Sequence, residues 1–566
     1  MYNGGRNNAA SVAVVLQEEM MLYYLEHAYL AIEQQIAAIG EVHHDNLAEA
    51  GEKITQAEAA VASLMEKMHF TDSDAQDYGK YYFLLVRNIF LLEDAREAYN
   101  TCLAEAERGI AVSLTASANE TDPGEKVVVT YEVRNMGAAA ADYSYSMTYP
   151  KIYAALSEES APIKGKLHLE AGENTQMTFV LTAREGGLLR VEAALCDAAG
   201  EMLSERRLDV QIMGAGCYLG TTHSHSTESD GKGTLAQNFH RMIKDGMTLT
   251  YTADHNVQTD RSGFMRAMES LQKCGYRFAA IKGCEITVYG NNGHLLSYGN
   301  TLTFPEPPRT RGPETIDNWN RIIDEINAAG GYSYMAHPFS RWFNFTGFAT
   351  DCESTDKMYE VTFHKDILDL YTEMTGIEII NDRYVNKGTD NDYAIAYWDR
   401  MNCKGYKKYF CSGGSDGHGL SQLSSVYNGF LLEELTAEAL ENAYRNGHQF
   451  VTTGPELRFT LGDKSFGETL TTDDSKAALT VEAYVKGGYL TEVMLYDYAI
   501  DANDPDGAYD NGVQTLLYAH TEGNERDHIL CTKELNVRPD HFYRVAVRTN
   551  DAEKVAFSNP VWVRRT

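Results

Sequence analysis

The sequence predicts a multidomain chain in which an α/β unit is flanked by a helical module and two β modules. Three observations carry this. The chain has 566 residues, and at about 100–200 residues per domain that length implies three to five domains. The hydrophobic period changes from helical to alternating near residue 110. Short apolar runs then alternate with helical patterns from 214 to 455, before alternation returns at 456.

Residues 1–108 are rich in Ala, Glu, Leu, Met and Gln and almost free of Gly and Pro, a composition that favours helix. Leu22, Leu25, Tyr29 and Ile32 recur at helical spacing. Further helical patterns run from Asn46 to Met68 and from Tyr81 to Leu103, with Thr71–Asp77 as a polar turn. A small antiparallel bundle follows, read as a structural or oligomerisation module. The pair His43–His44 is expected to be solvated. In residues 109–213, stretches such as Lys126–Arg134 and Leu188–Leu195 alternate with a period of two and are separated by turn clusters. That pattern predicts an immunoglobulin-like β-sandwich. Residues 214–455 hold strand candidates Gly216–Thr221, Met247–Thr252, Phe278–Lys282, Tyr332–Met335, Gly376–Ile380 and Lys408–Ser412. A helix over Thr234–Asp245 puts Leu235, Phe239, Met242 and Ile243 on one face. This alternation predicts a parallel barrel or an open sheet. Residues 456–566 read as a closing β-sandwich.

Composition limits the function. Net charge is -32, from 81 acidic and 49 basic side chains, so the surface repels phosphate backbones and anionic membranes. General nucleic-acid binding and membrane association are not expected. A bound cation would still dominate the field nearby and attract an anionic substrate. The nine cysteines are odd in number and lack C-x-x-C spacing. With no basic leader before an apolar core, they point to a reducing, cytoplasmic setting.

The chemistry lies at the ends of the strand candidates. His223-Ser224-His225 follows the first, and residues two apart in extended chain face one side. Asp230 follows in the next loop. Asp254-His255 follows the second strand, Glu285 the third, with His294 in the loop beyond. His337-Pro338 follows Tyr332–Met335, and Asp416-Gly417-His418 follows Lys408–Ser412. Six of the 17 histidines thus occupy these strand ends, the face where barrel enzymes build their sites. Histidine with carboxylate and without cysteine suits Mn, Fe or Zn. No serine stands in a nucleophile-elbow sequence.

Five motifs occur in order: Thr222-His223-Ser224-His225-Ser226-Thr227 with Ser229-Asp230-Gly231; Thr252-Ala253-Asp254-His255-Asn256; Gly283-Cys284-Glu285-Ile286-Thr287; Ala336-His337-Pro338; and Gly414-Ser415-Asp416-Gly417-His418. Together they resemble the PHP (polymerase and histidinol phosphatase) superfamily. The tail Gly447-His448-Gln449-Phe450-Val451-Thr452-Thr453-Gly454-Pro455 looks like the carbaryl hydrolase-like branch. The resemblance spans Gly214–Pro455 and implies a distorted (β/α)7 TIM-like barrel with two or three divalent metals. It implies that His223, His225, Glu285 and Asp416 hold one metal, that Glu285 bridges to a second on His294 and His337, and that His255, His418 and Asp230 hold a third. Asp254 is expected to orient a histidine from outside the ligand set. Asp230, Asp254 and Arg341 are the expected catalytic residues.

The implied reaction is attack by a metal-bridged hydroxide on a small phosphorylated metabolite or nucleotide. Arg341, Asn381 and Arg383 are expected to contact that substrate. A carboxylic ester, carbamate or amide substrate is the alternative, and a non-catalytic metal-binding scaffold a second one. The N-terminal helices offer a surface for homo-oligomerisation.

Overall fold

The computed structural model describes residues 7–67, 79–256, 261–287, 294–302, 316–339, 373–385 and 390–566. Helices Asn7–Ile39, Leu47–Lys67 and Gly79–Glu107 pack through Tyr29, Ile32, Ile54, Val61, Leu85 and Leu92. The expected turn over Thr71–Asp77 lies outside the described residues. His43 is exposed, but His44 is not solvated as expected. Its Nε2 lies 2.7 Å from Glu105, a buried carboxylate that also accepts from Ser204 and from the Arg206 guanidinium. A buried carboxylate needs such partners, and this set joins the bundle to the strand Met202–Ile212.

That strand belongs to a sandwich of a four- and a five-stranded sheet. In Lys126–Asn135 the side chains alternate, with Val127, Val129, Tyr131 and Val133 inward, as a pleated strand with one buried face requires. The same apolar core runs on through Leu457, Phe459, Val481, Val493 and Val545 of the C-terminal strands. Arg184–Glu482 and Arg458–Glu185 ion pairs tie the two β regions together.

Between them lie the strands that carry the site. Gly216–Thr221, Leu249–Tyr251 and Ala279–Ile281 run parallel. Gly216–Thr221 then pairs antiparallel with Tyr427–Leu432, and the ladder continues through Gln449–Thr452 into Val555–Ser558 of the C-terminal region. A separate five-stranded sheet holds Gly283–Thr287, His294–Tyr298, Tyr332–Ala336, Gly376–Asn381 and Phe410–Gly414, its first two pairings antiparallel.

The expected closed barrel is therefore not formed by the described strands, whose ladders run as two sheets. Side chains account for one gap. Asn428 Oδ1 accepts from Gly413 N, Asn559 Oδ1 accepts from Cys411 N, and Gln449 Nε2 donates to Cys411 O. Side-chain amides thus satisfy the edge of Phe410–Gly414 where a neighbouring backbone would otherwise pair. The sheets touch through single bridges at Ser224–Gly417 and His255–Glu285, beside the predicted site residues.

The helix Leu235–Lys244 forms as its pattern predicts. Thr234 and Gln237 make a reciprocal capping box, which satisfies two amides at the start. Leu235, Phe239 and Met242 are buried against Val86 and Phe90 of the bundle. Asn238 Nδ2 donates to His225 O at 2.8 Å, so this helix also fixes the loop that carries the first histidines.

A buried ion pair secures the C-terminal sheet. Arg544 makes a two-pronged contact with Asp399 at 2.7 and 2.5 Å and lies 4.0 Å from the centre of the Tyr496 ring. Arg544→Met should cost roughly 3–5 kcal/mol, because Asp399 is left buried without its partner. Denaturant unfolding would measure this, and an unchanged midpoint would contradict it.

Among the described residues, no helix is long and apolar enough to cross a membrane.

Candidate metal centre

The strand ends deliver their side chains to one point. His223 and His225 follow Gly216–Thr221, and their Nε2 atoms are 3.3 Å apart. Glu285, in the middle of Gly283–Thr287, lies at the centre and divides five imidazoles between its two oxygens. Oε1 is 2.7 Å from His294 Nδ1 and 3.1 Å from His337 Nε2. Oε2 is 3.3 Å from both His223 and His225 and 3.1 Å from His255 Nδ1. Asp416 closes the other side, with Oδ1 3.4 Å from His223 Nε2 and 3.0 Å from His225 Nε2.

A third group lies nearer solvent. Asp230 Oδ2 is 3.3 Å from His418 Nε2 and 3.7 Å from His255 Nε2, and Asp230 Oδ1 is 3.8 Å from His225 Nδ1. Side-chain exposure rises from 0% at His223 to 34% at His418 and 56% at Asp230. The centre thus opens on the Asp230–His418 side.

At this centre three sets of donor atoms have all their members within 4.8 Å of one another: His223, His225, Glu285 and Asp416; His225, Asp230, His255 and His418; and His255, Glu285 and His294. These sets fit divalent cations. Among the described residues, Glu285 Oε2 and His225 Nδ1 are buried without a hydrogen bond. Such groups are costly unless a cation or another partner serves them. Two imidazole nitrogens facing each other and the same carboxylates are the donor geometry of a metal site.

Electrostatics without a metal agrees. Burial disfavours charge on His223 and His337, yet Glu285, Asp416 and Glu378 outweigh it and raise both above the ordinary histidine value. His225 is raised in the same way by Asp416 and Glu285. Burial pulls His255 down to about 4, with His225 and His294 adding to that and Glu285 opposing it. Burial would raise Glu285, but His294, His223 and His255 hold it well below the carboxylate range. Asp416 is likewise held low by His223 and His225 against burial.

Backbone strain is concentrated here. His337 and Asp416 adopt φ of +28° and +49°, values that side chains with a Cβ rarely take. Each is pinned by its amide: His337 N donates to Glu378 Oε2 at 2.9 Å, and Asp416 N donates to His223 O at 3.0 Å.

Nine predicted residues thus converge: His223, His225, Asp230, His255, Glu285, His294, His337, Asp416 and His418. Asp254 differs from expectation. Its carboxylate accepts from Ser226 N at 2.7 Å, Ser226 Oγ at 2.9 Å and Ser229 Oγ at 2.7 Å. Asp254 thus shapes the Ser226–Asp230 loop, and its hydrogen bonds among the described residues go to the serines and not to an imidazole. Asn381 lies beside the centre, its Nδ2 3.4 Å from Asp416 and 3.2 Å from Glu378. Arg383 does not reach the centre. Its side chain is 62% exposed and pairs with Asp382 at 3.2 Å. Arg341 lies outside the described residues.

Sequence reasoning missed Glu378. It is buried in Gly376–Asn381, where every residue is buried, and its Oε1 is 3.1 Å from His223 Nδ1. The signal was present: a single charge within the run Gly-Ile-Glu-Ile-Ile-Asn, which has no reason to be buried unless it is paired.

No protein-family model matches the chain, and no curated protein matches it. Among solved structures, it is similar to a two-domain protein from Bacteroides vulgatus that contains a predicted PHP-like metal-dependent phosphoesterase. Identity is 14%, the match covers 61% of this chain and 96% of that one, and the TM-score is 0.32. A Bifidobacterium adolescentis protein named a metal-dependent phosphoesterase matches at 16% identity over 40% of this chain and 95% of its own, with TM-score 0.24. The CARDB domain of a Pyrococcus furiosus protein, in complex with di-metal ions, matches at 14% identity over 18% of this chain and 86% of its own, with TM-score 0.15. At these identities and scores, no family is assigned by likeness.

Proposed function

We propose that the chain is a metal-dependent phosphoesterase of the PHP type, acting on a small phosphorylated metabolite or nucleotide. In this reading residues 214–455 form the hydrolase unit, and 1–108, 109–213 and 456–566 flank it. The observation that supports it is the division of Glu285 between two groups of histidines, Oε1 facing His294 and His337 and Oε2 facing His223, His225 and His255. One carboxylate with each oxygen set among imidazoles is suited to bridging two cations.

His223, His225, Glu285 and Asp416 would hold one ion, Glu285 with His294 and His337 a second, and Asp230, His255 and His418 a third. Bound divalent ions supply Lewis-acid charge and lower the pKa of bound water. The residues do the rest. The buried imidazoles and carboxylates are held in fixed positions, which strengthens electrostatic stabilisation of a developing charge. Asp230 and His418, the most exposed members, stand where a substrate enters. Asn381 holds Asp416 by its amide, and Asp254 holds the Asp230 loop through Ser226 and Ser229.

The test is hydrolysis of matched nitrophenyl phosphomonoester, phosphodiester and acetate by Mn-reconstituted protein, with His337→Ala as control. Phosphoester turnover should fall by about 10³-fold in the variant, the loss of roughly 4 kcal/mol of transition-state stabilisation. Acetate turnover alone would favour the carboxylic ester, carbamate or amide reading. Turnover unaffected by His337→Ala would remove the metal assignment.

A further inference from the structure

We propose that Glu378 is the positioning residue that couples the two inner metal sites, so that they load as one unit. The inference rests on the metal-centre reading above and extends it to a residue outside the ligand set.

Glu378 reaches both halves of the centre with one buried carboxylate. Oε1 is 3.1 Å from His223 Nδ1. A carboxylate only accepts, so Nδ1 of His223 carries the proton. That keeps a proton on Nδ1 and makes Nε2, the nitrogen facing Glu285 and Asp416, the one that gives up its proton to a cation. Oε2 accepts from His337 N at 2.9 Å and holds the unfavourable backbone of the residue whose ring faces Oε1 of Glu285. Oε2 also accepts from Asn381 Nδ2 at 3.2 Å, and that same amide reaches Asp416 at 3.4 Å. Three groups of the centre, His223, His337 and Asp416, are therefore oriented through one side chain.

The surroundings are shaped for this contact. A Cβ at Gly414 would meet Glu378 Oε1 at 2.1 Å and His223 Cβ at 2.3 Å, so glycine is what allows the carboxylate and the imidazole to meet. Both partners are buried, with no room to shift apart without cost.

Glu378→Gln keeps the shape but not the chemistry. An amide offers one acceptor oxygen and one donor nitrogen. It can serve His223 or His337, and its NH2 then opposes the other N–H. The test is binding of Mn²⁺ and Co²⁺ to the metal-free full chain by calorimetry, metal content by elemental analysis, and the Co²⁺ visible spectrum as a readout of ligand geometry. Wild type should take up the two inner ions in one cooperative transition. Glu378→Gln should weaken binding about 10–100-fold, the usual effect of losing a group that orients a ligand, split uptake into two separate transitions and alter the Co²⁺ spectrum. Gly414→Ala, which displaces the same pair from the other side, should do the same, and circular dichroism checks that both variants fold.

Unchanged affinity and spectrum in both folded variants would overturn the inference. Two separate transitions already present in wild type would overturn the coupling. Failure of wild type to bind either ion would instead sink the metal-centre reading itself. The two failures are thus distinguishable.

Discussion

Glu285→Gln is expected to abolish metal loading and turnover together. Glu285 is fully buried and faces His294 and His337 with one oxygen and His223, His225 and His255 with the other. Glutamine has nearly the same volume but no charge, and its nitrogen cannot act as a ligand. One substitution removes the shared donor of two sites, so the loss should exceed that of any single histidine. We expect phosphoester turnover to fall by more than about 10³-fold, which corresponds to at least 4 kcal/mol, and bound metal to drop by at least two equivalents. Elemental analysis beside steady-state kinetics reads both. Normal metal content with lost activity would assign Glu285 to the chemistry and not to metal binding.

The second large effect is on pH. His223, His225 and His337 have raised values in the metal-free chain, because Glu285 and Asp416 outweigh burial. For such groups the stabilising contribution is present in full below the unfolded value near 6.5. It is lost as pH rises through the folded values. Glu285 and Asp416 are lowered, so their contribution is present above the ordinary carboxylate range and lost as pH falls through their folded values. His255, lowered to about 4, contributes above 6.5 and loses that contribution as pH falls towards 4. The metal-free centre should therefore be most stable from mildly acidic to neutral pH and weaken above it.

A cation takes the place of the protons on these rings, so metal affinity rises with pH. Each displaced proton makes affinity about tenfold tighter per pH unit while the ring remains protonated in the free protein. With three raised histidines the slope should exceed one proton. Calorimetry in buffers of different ionisation enthalpy counts the protons released. The gap in melting temperature between metal-loaded and metal-free protein should widen as pH rises. Flat affinity from pH 6 to 8 with no proton release would contradict the electrostatic picture.

Much of this was legible in the sequence, for local reasons. The order of helical bundle, alternating β stretches and α/β region follows from hydrophobic period, which depends on near neighbours along the chain. Six of the residues that converge, His223, His225, His255, His337, Asp416 and His418, were legible because each follows closely on a strand end, and strand ends on one edge of an α/β unit share a face; Glu285 instead lies within Gly283–Thr287 and His294 opens His294–Tyr298. The capping box at Thr234 and Gln237 is likewise written in consecutive residues.

The rest depends on contacts between segments far apart in sequence. No spacing says that Glu285 gives one oxygen to His294 and His337 and the other to His223, because that depends on how the strands Gly283–Thr287, His294–Tyr298 and Tyr332–Ala336 register. The pairing of Glu378 with His223 crosses 155 residues. Asp254 was drawn to Ser226 and Ser229 in place of a histidine by the path of one loop. At Phe410–Gly414, one of the places where the ladder is open, the amides of Asn428, Asn559 and Gln449 make the hydrogen bonds a neighbouring strand would have made. Periodicity and strand ends are local, so most of the His, Asp and Glu positions of the centre can be read along the chain, whereas Glu378 cannot. Which oxygen faces which ring, and which amide stands in for a backbone, is set by packing across the whole chain.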